Sequence, residues 1–182
     1  MKISYEVTVG PDEHRPNNAD GTVEIWTLNG EYHCEHGPAV ITRNANKQII
    51  SQHWWLNNQR YRENGPAVIY DDGVMHETSW HPAREDGPSR LVKINDLVTE
   101  EEWRTPLKKG GFHRIGGPAI IDTDSNTGIV YKESWYLFGK RHREDGPALI
   151  ERDRQTGQIT KQEYYKNGRR MEPQSQAPKI TL

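Results

Sequence analysis

A Gly-Pro dipeptide that returns five times constrains this chain more than any other feature. It stands at Gly37-Pro38, Gly65-Pro66, Gly87-Pro88, Gly117-Pro118 and Gly146-Pro147, in steps of 28, 22, 30 and 29 residues. Self-similarity at such a period means that one supersecondary unit is copied and stacked on itself. Trp26, Trp54 and Trp135 each stand eleven residues before the repeat glycine, which is Gly37, Gly65 or Gly146, followed at +2 by Leu28, Leu56 and Leu137 and at +4 by Gly30, Asn58 and Gly139. Those three units share one frame. The third unit has Trp80 only seven residues before Gly87 and lacks the Asn-Gly turn; the fourth has Trp103 fourteen before Gly117 and inserted residues ahead of Gly110-Gly111. Tyr164 with Asn167-Gly168 opens a sixth unit that stops, as a terminal cap would.

Each unit reads as two short strands. The first ends near the tryptophan (VEIWTL, HWWL, KESWYL) and the second follows the Gly-Pro (PAVIT, PAVIY, PAIID, PALIE), with Asp72-Gly73, Thr127-Gly128 and Thr156-Gly157 as turn residues. Proline at the head of a strand is compatible with a sheet, because that position need not donate to the ladder. Gly and Pro interrupt the chain about every ten residues, which leaves little room for helix. The one candidate is 95–104, where Thr99 and Glu102 have capping-box spacing. Residues 1 to 9 alternate as a single strand, with Ile3, Tyr5, Val7 and Val9 on one face. The expected organisation is an N-terminal capping strand and loop over 1–21, an all-β array of about five hairpin units over 22–170, and a flexible tail over 171–182.

Composition fits such an array. Val, Ile, Leu and Phe together make only 33 of 182 residues, a proportion usually associated with disorder. The net charge of only -2 and the six Trp and eight Tyr argue for folding, with a thin core in which each unit leans on its neighbours. Basic and acidic residues are balanced at 24 and 26, so nucleic acid is a disfavoured partner. The single cysteine, Cys34, excludes an internal disulfide framework or a multi-cysteine zinc site and fits a reducing, cytoplasmic setting. No apolar run approaches the roughly 20 residues of a membrane span, and the first residues carry no signal-peptide core, so a soluble protein is expected.

The strings NGEYHCEHGPAVI, HREDGPALI and WYLFGKRHREDGPALI resemble the units of the MORN-repeat variant family, of the form W-x-x-N-G-x-x-H-R-E-D-G-P-A, found in proteins of bacteria, bacteriophages and large DNA viruses. The resemblance spans about residues 22 to 170. It implies an elongated, twisted stack of β-hairpins, and a role as an interaction scaffold or an antitoxin-like protein.

Side-chain chemistry recurs with the units. His33, His113 and His142 each lie four residues before the repeat glycine, where Tyr61 and Ala83 replace them in the other two units. A column of imidazoles could bind metal or phosphate, but a ring at a fixed turn position is read first as bonding the turn's own backbone. His33-Cys34-Glu35-His36 has metal-ligand residue types, yet neighbours on a strand point to opposite faces and leave two ligands at most on one side. The next position is Arg in four of five units (Arg62, Arg84, Arg114, Arg143), and the one after is Glu in four (Glu35, Glu63, Glu85, Glu144). Pairing between adjacent rungs is the simple expectation for these columns; gripping an acidic partner, with Arg62 and Arg143 as contacts, is the functional one.

If Trp26, Trp54 and Trp135 face the core, alternation turns Trp55, Tyr136 and Tyr165 to the other face, where the repeat requires no aromatic. These three are expected to anchor a partner. Acyl-transfer, P-loop and dinucleotide patterns are absent, and His14, Asp12 and Asp20 near the N-terminus sit among ordinary turn formers. The expected protein is therefore not an enzyme and takes no cofactor or metal. It binds a protein target, in the phage version as an inhibitor of a host defence protein. The alternatives are an antitoxin or immunity protein, and a sponge for a phosphorylated nucleotide; self-association through strand edges is a further expectation.

Overall fold

The computed structural model describes residues 4–12, 20–106 and 111–172, and none of these is helical. Ile3, His14, Gly110 and the 173–182 stretch lie outside the described residues. The strands are β1 (Tyr5–Pro11), β2 (Thr22–Leu28), β3 (Glu31–Tyr32), β4 (Val40–Arg43), β5 (Ile49–His53), β6 (Trp55–Leu56), β7 (Gln59–Arg60), β8 (Val68–Asp71) and β9 (Met75–Ser79). They continue as β10 (Arg90–Ile94), β11 (Leu97–Glu102), β12 (Ile120–Thr123), β13 (Val130–Ser134), β14 (Tyr136–Leu137), β15 (Lys140–Arg141), β16 (Leu149–Arg152), β17 (Ile159–Lys166) and β18 (Arg169–Met171).

One antiparallel sheet takes in most of the chain. Its order is β1-β2-β4-β5-β8-β9-β10-β11-β12-β13-β16-β17-β18, which is chain order with the short strands passed over. Of those, β3 pairs with β2, while β6–β7 and β14–β15 form two-stranded sheets of their own. The segment 95–104 is turn and strand rather than helix: Asn95 and Asp96 take φ of 48° and 65°, and β11 pairs along β10. Two successive left-handed residues reverse the chain as a tight hairpin does, and Glu102 comes to stand opposite Arg90 instead of capping Thr99.

Register fixes two chemically different faces. A single cross-strand row runs Val9, Glu24, Ile41, Gln52, Ile69, Thr78, Leu91, Glu101, Ile121, Glu133, Ile150, Gln162. Strands that lead to a tryptophan contribute its polar members, and strands that follow a Gly-Pro contribute Ile or Leu. Two residues further along the former strands come Trp26, Trp54, Trp80, Trp103 and Trp135, on the same face by the two-residue period.

All five tryptophans, including those of the irregular units, hold one backbone position. The amides of Trp26, Trp54, Trp103 and Trp135 donate to the carbonyls of Ala39, Ala67, Ala119 and Ala148 at 2.7–2.8 Å, and Trp80 donates to Ser89 at 2.7 Å. The differences in unit length are thus taken up in the loop between the tryptophan and the Gly-Pro. Those four alanines are 0% exposed and Ser89 is also buried. Each small residue is a wedge: Ala119 N–H donates to Ser134 and Ala148 N–H to Glu163, so the residue that receives its own unit's tryptophan also reaches the next unit's strand. The core is therefore thin, and it is built from small side chains under half-buried indoles.

Candidate interaction surface

The arginine column lies over the tryptophans. The guanidinium of Arg62 is 3.9 Å from the Trp54 ring centroid, Arg84 4.2 Å from Trp80, Arg114 3.9 Å from Trp103 and Arg143 4.0 Å from Trp135. Arg62, Arg114 and Arg143 also donate to the carbonyls of Pro66, Pro118 and Pro147 at 3.1–3.4 Å. Arg62 and Arg143, expected as partner contacts, thus spend their charge within their own units. The glutamates do not pair with arginines of adjacent rungs either: Glu144 meets His142 at 3.2 Å and Lys166 at 2.7 Å, and Arg143 turns to Asp145 at 3.0 Å.

This layer explains the repeat glycine. A β-carbon on Gly87 would stand 1.9 Å from Arg84 Nη2, and on Gly117 or Gly146 it would come within 3.1–3.2 Å of the guanidinium. At Gly37 the nearest atom is Cys34 Sγ at 3.9 Å, because the first unit has cysteine where the others have arginine. Neither Gly37 nor Gly87 has a positive φ, so alanine meets only space or its lack. Gly87→Ala is expected to push Arg84 off Trp80 and cost about 1 kcal/mol. Gly37→Ala should lie within about 0.5 kcal/mol of the parent. Urea melts of the two variants check the contrast.

The histidine column is a set of links between units. His33 Nδ1 accepts the Asn57 amide at 3.2 Å, His113 Nδ1 that of Phe138 at 3.3 Å, and His142 Nδ1 that of Asn167 at 3.1 Å. The donors are positive-φ residues, at 48°, 47° and 53°, that open the turn of the following unit. An amide can only donate, so at His113 and His142 Nδ1 is the bare nitrogen, and the His142 ring proton sits on Nε2, beside Glu144; His33 Nδ1 also lies 2.9 Å from Asn57 Oδ1, so two contacts join that pair. The sequence reading placed this bond within the ring's own turn; it reaches the next one instead. The replacements then make sense. Tyr61 precedes the third unit, which has no such turn, and Ala83 precedes the fourth, whose loop is the inserted one.

Trp55, Tyr136 and Tyr165, the expected anchors, lie in β6, β14 and β17 and pack on aromatic and arginine side chains. Trp55 packs on Tyr32 at 5.3 Å and under Arg60 at 5.1 Å; Tyr136 packs on Phe112 at 5.3 Å; Arg141 lies 5.9 Å from Tyr136 and 5.5 Å from Tyr165. Trp55, Tyr136 and Tyr165 are half-buried there, and their carbonyls accept the amides of Cys34, Arg114 and Arg143 from the preceding unit.

Exposed apolar side chains are scattered, Ile115, Phe138 and Val74 among them, and three gather on one face of β1, an edge of the sheet among the described residues. On β1, Tyr5, Val7 and Val9 are 49%, 48% and 67% exposed, and Val7 stands opposite Trp26. Beside them a pocket of about 590 Å3 is lined by Tyr5, Glu24, Trp26, Cys34, Pro38 and Ile41, among others. Asp12 is buried and Asp20 exposed. Among the described residues no group of three or more His, Cys, Asp or Glu side chains could hold a metal ion, and no helix is long and apolar enough to cross a membrane. No protein-family model, curated protein or solved structure matches the chain.

Proposed function

We propose that this chain is a non-catalytic binding protein of the MORN-repeat variant type, an elongated array of about five hairpin units that occludes a protein target. The observation that carries this reading is the edge strand β1, which pairs with β2 on one side and with no other strand among the described residues, and whose Tyr5, Val7 and Val9 present apolar side chains next to Trp26. Natural sheets blunt a free edge with charge or cover it, so a bare apolar edge marks a surface that another chain covers. A phage-encoded inhibitor of a host defence protein is the version that the repeat resemblance suggests, for a chain whose polar columns are spent on its own fold. The nucleotide sponge is the weaker reading, since its imidazoles and guanidinia are engaged by backbone amides and indoles.

Tagged protein incubated in host lysate should return one protein at equal stoichiometry. Val9→Lys should lose it with an unchanged melting curve, because the lysine stands opposite Glu24 and keeps the strand pairing. Equal capture by the parent and Val9→Lys, or no capture by the parent, would refute the reading.

A further inference from the structure

In four units the exposed ring of the repeat tryptophan is covered by an arginine three residues before the repeat glycine; in the first unit that residue is Cys34. Among the described residues no cation stacks on Trp26, and the space above it is the 590 Å3 pocket. Its wall repeats what the covered units offer a guanidinium. The indole face is there, and the Pro38 carbonyl stands at the place of Pro66, Pro118 and Pro147, whose carbonyls accept from arginine. Two carboxylates stand by it: Glu24, which accepts from the Trp26 indole N–H at 2.7 Å and from Arg43 at 3.0 Å, and the exposed Glu35 on the rim, 3.7 Å from His33 Nε2.

From these residues we infer that the first unit is a receptor for an arginine side chain, contributed by an extended segment of the protein partner. The inference rests on the protein-binding reading above and names the chemistry of the contact. A guanidinium stacks on the Trp26 face, donates to the Pro38 carbonyl and faces Glu24 and Glu35. The apolar edge residues Tyr5 and Val7 lie alongside to take the flanking side chains of the segment. Arginine is preferred over lysine because a planar group covers an indole and donates in two directions at once.

The probe is a blocked pentapeptide, Gly-Gly-Arg-Gly-Gly, followed by the Trp26 indole resonance in 1H–15N spectra of the full chain. A matched peptide with citrulline keeps the shape and removes the charge. The arginine peptide is expected to shift the Trp26 indole and Cys34 amide signals saturably in the millimolar range, at least tenfold more tightly than citrulline. Cys34→Arg supplies the covering group in cis; it should abolish the shifts and raise Tm by about 2–4 °C. Cys34→Met fills the space without charge and should also abolish binding, which keeps the test open if the arginine variant fails to fold. Equal response to citrulline, an undiminished response in either variant, or no response at all would overturn the inference. A partner captured equally by the parent and Cys34→Arg would sink the arginine receptor and leave the binding reading standing. Peptide binding without any captured partner would do the reverse.

Discussion

Trp135→Ala is expected to cost about 3 kcal/mol of folding stability, read as a lowered urea midpoint, with the loss of protection in hydrogen exchange concentrated in β13, β16 and β17. The substitution removes a half-buried indole, and with it the seat of Arg143, whose guanidinium then lies over a gap. A chain of this kind has about 5–15 kcal/mol in total, so such a loss is severe. Trp26→Ala offers the comparison, since no arginine of the described residues rests on that ring and what is forfeited is the indole's burial and its N–H bond to Glu24. Its cost should be smaller by about 1 kcal/mol. Equal costs at the two positions would show that the arginine layer contributes no more than the Trp26–Glu24 bond does.

His33→Ala is expected to cost about 2 kcal/mol, a large effect for a polar residue in a turn. The ring is 4% exposed, and its Nδ1 is the acceptor for the Asn57 amide, so truncation leaves a hole and strips a donor of its partner. Tyr61→Ala, at the same repeat position but with no following Asn-Gly turn to hold, should cost under about 1 kcal/mol. Thermal melts of the two variants give the answer directly. His33→Gln, which keeps an acceptor near the amide, should recover part of the loss; if it recovers none, the packing of the ring rather than its hydrogen bond is what matters.

The strand positions were legible because Gly-Pro, Asn-Gly and alternation are local signals, and each acts within a few residues of itself. The tryptophan frame could be read in three units but not in Trp80 and Trp103, since the loops that absorb the extra or missing residues carry no mark of where the chain rejoins the sheet. Local chemistry misled at Thr99 and Glu102. Their spacing suits a helix start, yet the preceding Asn95-Asp96 pair turns the chain into a hairpin, and the strand that follows finds Arg90 across the sheet. Around Arg90 the partners Glu77, Glu100 and Glu102 gather from the two flanking strands, β9 and β11, which no linear spacing announces. The arginine seat on the tryptophan and the histidine link to the next turn were hidden for the same reason. Each joins residues whose spacing in sequence says only that both recur, not that they touch. The signal that could have revealed the link was the pattern of exceptions, because histidine is missing where the following unit lacks a regular turn.

That link runs one way, from an imidazole to its successor's backbone, and so gives the array a grammar. A shortened protein in which the first unit is spliced directly to the fifth would place His33 before the Phe138 turn and read correctly. Splicing the second unit to the fifth would set Tyr61 there, and the array would make a sentence that does not parse.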